Sequence, residues 1–296
     1  MSDMPTVGSG KYTYELVEGW GEIPNGWTLG QTAIVTDSQD RVYLFNRGDH
    51  PLIVLDKDGG FLNSWGEGQL PDAHGMFIDE EENLYMPVKN SHVVLKYSLE
   101  GKLLMTLGAW DQPSDTGWSG ETTEIVGQAA GPFHRPTDVG QSDSGDLYIS
   151  DGYGNARIHK FSNDGKLLFS WGSPGKTTPG AFHVPHGVWV HKDGRVIVAD
   201  RENDRIQVFN SEGDYLTQWT GFSRPCDIYI DRDDAVFIPE LDAFISITDL
   251  DGNILARWAG PTGAGAHAIW LDSSGDIYIN QNLEGHRLLK YRRIGS

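Results

Sequence analysis

The sequence lacks several features that would anchor or cross-link a protein. Cys226 is the only cysteine, so no disulfide bond can form within the chain, and the fold must be stabilised by packing. There is no run of about eighteen apolar residues, so no membrane-spanning helix is expected. The first residues, Met-Ser-Asp-Met-Pro-Thr, lack the basic and apolar regions of a secretory signal. These absences favour a cytoplasmic protein without membrane contact.

Positive charge is also scarce. The 296 residues include 23 lysines and arginines against 42 aspartates and glutamates, which leaves a formal charge of −19. Such a surface would repel phosphates over most of its area, so we expect no nucleic-acid partner. The negative charge is typical of a soluble protein, and by itself it identifies no partner.

The sequence also lacks a convincing amphipathic helix. It contains a repeat of predicted strands instead. Apolar alternation, a glycine-containing turn and then Trp-Gly or a variant recur at intervals of roughly forty residues. The six copies of this mark stand at Trp20, Trp65, Leu107, Trp171, Trp219 and Trp258. Period-two alternation between turns predicts strands. Six such units predict an all-β, six-bladed β-propeller with four short strands in each blade.

The two ends of the chain complement each other. The last unit supplies three strands and then stops, whereas residues 12–20 have the look of a fourth strand such as 167–171. Because an open sheet edge promotes aggregation, we expect the N-terminal strand to close the ring as the outer strand of the last blade. Residues 1–296 are therefore predicted to form a single domain.

One connection is longer than the repeat requires. Residues 109–134 are rich in Gly, Ser, Thr and Pro, which is typical of a loop. Loops of this length in compact domains are usually functional or disordered. This inserted loop joins an outer strand to the next inner strand, so we expect it to lie at the mouth of the propeller. One interpretation is that it acts as a lid.

Histidine returns at one position of the repeat. Alignment at the start of the inner strand gives Thr32, His74, Thr137, His186, Cys226 and His267. Alternate blades of a six-bladed ring are related by about 120°, so the three imidazoles should converge on the axis. Three nitrogen ligands with an open fourth position are typical of a catalytic zinc site. One such histidine alone would more often be structural, but strict alternation favours a metal site.

A second aligned position brings positive charge to the same face. In each unit this position is one residue beyond the end of the second strand. The six residues are Arg47, Lys89, Gly152, Arg201, Leu241 and Asn282. Guanidinium groups bind carboxylates in bidentate fashion, which suggests a small-molecule substrate with a carboxylate or another anionic group. The side chains expected to bind it are Arg47, Arg201, Lys89 and Asn282. The alternative is that the arginines form surface ion pairs, Arg47 with Asp49 and Arg201 with a neighbouring carboxylate.

Three segments closely resemble a known family. They are Ser-Asp-Gly-Tyr-Gly-Asn-Ala-Arg-Ile at 150–158, Val-Pro-His-Gly at 184–187 and Ala-Asp-Arg-Glu-Asn-Asp-Arg-Ile-Gln-Val-Phe at 199–209. These segments resemble the lyase domain of peptidylglycine α-amidating enzyme, a six-bladed propeller of NHL repeats. The resemblance covers nearly the whole chain and is strongest over residues 146–210.

The resemblance implies a role for each candidate residue. The family binds zinc through three histidines, whose positions match His74, His186 and His267. Tyr153 matches a tyrosine proposed as the catalytic base. Arg47 and Arg201 match arginines thought to hold the substrate carboxylate and to tune the tyrosine. The family cleaves an α-hydroxyglycine into an amide and glyoxylate.

Two departures from the family pattern affect what carries over. Ala268 stands where the family has an aspartate that helps to hold a structural calcium ion, so calcium is not carried over to this chain. Secreted members of the family have disulfide bonds, which a chain with one cysteine cannot form. A cytoplasmic relative would therefore act on a small molecule rather than on a peptide.

The sequence thus predicts a lyase, dependent on zinc or another divalent ion, that breaks a C–N or C–O bond at a hydroxylated carbon. One alternative is a metal-dependent hydrolase, such as a lactonase, on the same scaffold. Another is a non-catalytic propeller that binds proteins, since a fold alone does not decide function.

Overall fold

In the computed structural model, which describes residues 6–242, 244–261, 263–281 and 288–295, the chain forms six antiparallel blades around a central channel. The predicted all-β, six-bladed propeller is confirmed. The first three blades contain Thr32–Thr36, Val42–Asn46, Leu52–Leu55 and Phe61–Trp65; Phe77–Ile78, Asn83–Val88, Val93–Ser98 and Leu103–Gly108; and Pro136–Gln141, Leu147–Asp151, Arg157–Phe161 and Leu167–Trp171. The fourth and fifth contain Pro185–Val190, Val196–Asp200, Arg205–Phe209 and Tyr215–Thr220; and Tyr229–Ile230, Val236–Pro239, Phe244–Thr248 and Ile254–Ala259.

The two ends of the chain meet in the sixth blade. Its strands are Ala266–Leu271, Ile277–Gln281, Leu288–Arg293, Tyr12–Val17 and Thr6–Ser9. Tyr12–Val17 pairs with Leu288–Arg293, so the predicted closure of the ring by the N-terminal strand is confirmed. Thr6–Ser9 pairs in turn with Tyr12–Val17 and adds a fifth strand that the repeat did not predict. This strand covers the edge that Tyr12–Val17 would otherwise leave open.

The Trp-Gly marks of the repeat correspond to contacts between successive blades. Four tryptophan rings each lie against a turn glycine of the following blade. The pairs are Trp20 with Gly59, Trp65 with Gly101, Trp171 with Gly213 and Trp219 with Gly252. A Cβ at any of these glycines would come within 3.2 Å of the ring, and all four have positive φ angles. Glycine is therefore required at these turns for both space and backbone conformation.

Irregular segments are concentrated between and after the strands. The short 3₁₀ turns Lys89–Ser91 and Arg201–Asn203 follow the second strands of the second and fourth blades. Ser173–Pro174 and Ala181–Phe182 form a short parallel pair between the third and fourth blades. The inserted loop, residues 109–134, contains neither strand nor helix. No helix in the described part of the chain is long and apolar enough to cross a membrane.

Candidate functional site

Three histidine side chains meet at the centre of the ring. His74, His186 and His267 come from the second, fourth and sixth blades, and all three are buried. One ligand atom from each histidine lies within 4.8 Å of the corresponding atoms of the other two. Their ring centroids are 4.7 to 5.3 Å apart. The structure therefore brings together the three residues that alternate along the repeat.

Backbone carbonyl groups of the intervening blades orient two of these rings. Nδ1 of His74 lies 2.7 Å from the carbonyl oxygen of Thr137, and Nδ1 of His186 lies 2.7 Å from that of Cys226. A carbonyl oxygen can only accept a hydrogen bond, so each Nδ1 carries the proton and each neutral ring keeps its lone pair on Nε2. Thr137 and Cys226 thus contribute to the site through their main chains.

The donor set fits a divalent metal ion. Burial lowers the pKa of His74 and of His186 well below the usual range, and the neighbouring positive charge of Arg201 lowers that of His186 further. Nε2 of His74 is buried and has no hydrogen-bond partner among the described residues. Three imidazole ligands with an open fourth position suit Zn²⁺, and other first-row divalent ions also accept imidazole ligands.

Tyr153 connects the histidines with the mouth of the channel. Its hydroxyl oxygen lies 3.1 Å from Nε2 of His186 and accepts a hydrogen bond of 3.0 Å from Nη1 of Arg201. Because the arginine is the donor, the tyrosine proton is directed towards the histidine. Arg201 is also paired with Glu202 at 2.8 Å. The ion pair that the alternative interpretation foresaw therefore exists, but Arg201 is only 3% exposed and the pair is not on the surface.

Two glycines allow the Tyr153 turn to approach its neighbours. A Cβ at Gly152 would lie 2.1 Å from the carbonyl oxygen of Pro185, and one at Gly154 would lie 2.3 Å from the His134 ring. Any side chain at either position would therefore displace the turn. The Gly-Tyr-Gly segment is thus explained by close packing around the tyrosine as well as by its chemistry.

The other predicted cations surround the same tyrosine. Nε of Arg47 donates to the carbonyl oxygen of Ala73 at 2.6 Å, while its Nη2 is buried without a hydrogen-bond partner in the described structure. Arg47 does not pair with Asp49, contrary to the alternative interpretation. Nζ of Lys89 lies 5.5 Å from the Tyr153 ring centroid. Asn282, the remaining residue predicted to bind substrate, lies outside the described residues.

A cation beside Tyr153, Arg135, was missed by sequence reasoning. Arg135 lies with its guanidinium carbon 5.6 Å from the Tyr153 ring centroid and 4.7 Å from that of Trp118. It precedes the inner strand of the third blade, and Trp118 belongs to the inserted loop. Arg135 stands two residues before the aligned ring position. Charge of one sign does not recur there from unit to unit, so the repeat gave only a weak indication of a site.

Two carboxyl groups line the channel beside the histidines and were also missed. Asp138 accepts a hydrogen bond from the main-chain nitrogen of Val188 at 3.0 Å, and Asp227 accepts one from that of Ile269 at 3.1 Å. Each bond joins one blade to the inner strand of the next blade. Burial raises the pKa of both groups, that of Asp227 to about 7. These contacts give the pair a structural role in the ring.

Aromatic side chains occupy the channel on the far side of the histidines. Phe77, Trp189 and Trp270 follow the three histidines by three residues each. Their ring centroids lie 5.7 to 6.3 Å apart. The three rings therefore meet across the axis of the propeller.

Known proteins share this fold and part of this sequence. The NHL repeat family matches residues 133–161 and 182–209. Human NHL repeat-containing protein 3 is 35% identical over 71% of this chain, and the match spans only 60% of that protein's length. A probable peptidyl-α-hydroxyglycine α-amidating lyase of Caenorhabditis elegans is 30% identical over 82% of this chain and 70% of its own length. A solved streptogramin B lyase has a TM-score of 0.67 at 16% identity, covers 96% of this chain and 99% of its own, and shows the fold alone.

Proposed function

Since this chain belongs to the family of NHL-repeat propellers homologous to the peptidyl-α-hydroxyglycine α-amidating lyases, we propose that it is a metal-dependent lyase acting at a hydroxylated carbon. The bond cleaved is a C–N or C–O bond of a small anionic substrate. The observation that carries the proposal is the Tyr153 hydroxyl, which contacts both His186 and Arg201. A buried phenol in contact with an arginine and a histidine is the arrangement expected of a group that transfers a proton.

His74, His186 and His267 would hold the metal ion. When bound, Zn²⁺ or a similar divalent ion supplies Lewis-acid polarisation and lowers the pKa of a hydroxyl group that it contacts. The tautomers fixed by Thr137 and Cys226 prepare Nε2 of two histidines for this role.

Tyr153 is proposed to move the proton. In an N-acyl-α-hydroxyglycine the hydroxyl proton leaves, the C–O bond becomes a carbonyl, and the C–N electron pair departs with nitrogen, which takes up a proton. Atoms balance without water, so one residue that accepts the proton and returns it is sufficient. Arg201 donates to the phenol oxygen at 3.0 Å and would stabilise the negative charge that develops there.

Arg47 and Lys89 are proposed to bind the substrate carboxylate. The unpaired Nη2 of Arg47 is a buried donor, and such a group loses free energy unless a ligand accepts its hydrogen bond. Lys89 is paired with Asp72 only at 3.6 Å. Both cations border Tyr153, so an anion held by them lies next to the reacting carbon.

The function is tested with racemic N-benzoyl-α-hydroxyglycine and protein loaded with zinc. We expect benzamide and glyoxylate in equal amounts. A hydrolase would instead form benzoate that contains one oxygen from isotopically labelled water. A non-catalytic scaffold would give no turnover and bind less than about 0.2 metal ions per chain.

The pH dependence of this reaction should report on Lys89. Burial, reinforced by the positive charge of Arg47, lowers the pKa of Lys89 to about 8. The ammonium group therefore loses its charge as the pH rises through about 8, and carboxylate binding weakens above that value. We expect kcat/KM to fall by roughly 3- to 10-fold there. In Lys89→Arg this fall should disappear, because a guanidinium stays charged; an unchanged profile would remove Lys89 from substrate binding.

A further inference from the structure

Arg135 occupies a repeated left-handed position at the mouth. Two residues before the aligned ring position, Asp72, Arg135, Val184 and Arg224 have φ angles of 51°, 65°, 60° and 53°. The first and sixth blades have Gly30 and Gly265 there, and a Cβ would lie 2.4 Å from the carbonyl oxygen of Arg47 and 1.4 Å from that of Leu241. Only four blades can therefore present a side chain from this position.

The charged side chains at this position differ in whether they form an ion pair. Asp72 is paired with Lys89 at 3.6 Å, and Arg224 is paired with Glu202 at 2.9 Å. Arg135 has no carboxylate within ion-pair distance in the described parts of the chain, and its Nε is buried without a hydrogen-bond partner. Among the described residues, the negative charge that acts on this guanidinium is that of Asp72, which is itself paired with Lys89.

The inserted loop holds Arg135 beside the catalytic tyrosine. The guanidinium carbon lies 4.7 Å from the Trp118 ring centroid, a favourable cation–π distance. Trp118 also contacts the ring of His134, with centroids 5.2 Å apart. Thr116 donates a hydrogen bond to the carbonyl oxygen of Gly154, which is the residue after Tyr153. The loop is therefore attached both to Arg135 and to the turn that carries Tyr153.

Arg47 and Arg135 are the two site arginines without a carboxylate partner among the described residues. Arg47 has its own buried, unpaired Nη2, and the positive charge of each lies near the Tyr153 ring. A single substrate carboxylate held by Arg47 would leave Arg135 without a charge-assisted partner. The Tyr153 side chain lies close to both groups, since its ring centroid is 5.6 Å from the guanidinium carbon of Arg135 and its hydroxyl oxygen is 3.1 Å from Nε2 of His186.

We propose that Arg135, positioned by Trp118, is a specificity-determining residue that binds a second anionic group of the substrate. This inference rests on the proposed function. The preferred substrates are small α-hydroxyglycine derivatives whose acyl arm ends in a carboxylate. Arg47 and Lys89 receive the carboxylate next to the reacting carbon, and Arg135 receives the one on the leaving arm.

The test compares two substrates of nearly equal shape. N-succinyl-α-hydroxyglycine carries the second carboxylate, and N-succinamoyl-α-hydroxyglycine carries a neutral amide in its place. The wild-type protein should prefer the former by about 10- to 100-fold in kcat/KM, which is the range for a charge-assisted, bidentate contact. In Arg135→Gln this preference should disappear through a higher KM for the dianion.

Three further variants separate binding from structure. Arg135→Lys should restore part of the preference, because it keeps the charge without the planar fork. Trp118→Ala should reduce the preference and Trp118→Phe should retain most of it. Arg157→Gln is the matched control: Arg157 lies in the same blade, its guanidinium donates to the carbonyl oxygens of Ser170 and Gly172, and its replacement should leave the preference intact.

The outcomes distinguish this inference from the function on which it rests. If the wild type cleaves neither substrate, the proposed lyase activity fails. If it cleaves both with equal kcat/KM, or if Arg135→Gln keeps the preference for the dianion, only the role of Arg135 is overturned. Activity of Arg135→Gln on the neutral substrate shows in the same experiment that the variant is folded.

Discussion

Replacing His186 by alanine is expected to abolish both metal binding and turnover of N-benzoyl-α-hydroxyglycine. His186 is one of three imidazoles whose ligand atoms lie within 4.8 Å of one another, and its Nε2 also contacts the Tyr153 hydroxyl. Its loss leaves two protein ligands, which is too few for a tightly held ion. Lewis-acid stabilisation amounts to several kcal/mol, so we expect kcat/KM to fall by at least about 1,000-fold.

Metal content by elemental analysis and steady-state kinetics check this expectation together. His50→Ala is the matched control, since the His50 ring stacks on Trp27 outside the ring of three histidines, and both metal and activity should be retained. Circular dichroism should show that His186→Ala keeps its strands. Full turnover by metal-free His186→Ala protein would refute a metal-dependent mechanism, and unchanged metal content would place the ion elsewhere.

Replacing Tyr153 by phenylalanine is expected to reduce kcat by about 100- to 1,000-fold, within the range for loss of a general acid or base. The variant keeps the aromatic ring that contacts His74 and His186 and loses only the hydroxyl group. Because the proposed metal ligands are histidines, the metal content should stay unchanged. The proton transfer, and not the assembly of the site, should therefore be what the substitution removes.

Tyr148→Phe provides the control for this substitution. Tyr148 lies in the second strand of the same blade, and its hydroxyl is 3.4 Å from the carbonyl oxygen of Ser211, away from the histidines. Its activity should stay within about twofold of the wild type. If Tyr153→Phe retained wild-type kcat, another group would have to carry the proton; if it lost the metal, Tyr153 would be a structural support of the histidines instead.

Two features of this protein followed from the sequence because they repeat. Six copies of strands, turns and Trp-Gly marks were enough to predict six blades and the strand that closes the ring. The alternation of His74, His186 and His267 was enough to place them on one axis, because a propeller turns a sequence period into rotational symmetry. The same reasoning put Arg47, Lys89 and Arg201 at the mouth with them.

Other features required the tertiary structure because they break the repeat. The fifth strand of the last blade, Thr6–Ser9, has no counterpart in the other blades. The loop of residues 109–134 has no period, and the contact of its Trp118 with Arg135 joins residues that no pattern relates. Which arginines are neutralised depends on carboxylates in other blades, as the pair of Arg224 with Glu202 illustrates.

The sequence by itself therefore determined the architecture and the residues that share the axis. Periodic hydrophobic alternation specifies strands and their faces, and equal repeat positions become equivalent places in a ring. Only the tertiary structure decided which nitrogen of His74 and His186 carries the proton, which cations lack a partner and where the inserted loop attaches. These properties depend on distances of a few ångströms between atoms far apart in the chain, and periodicity contains no information about such distances.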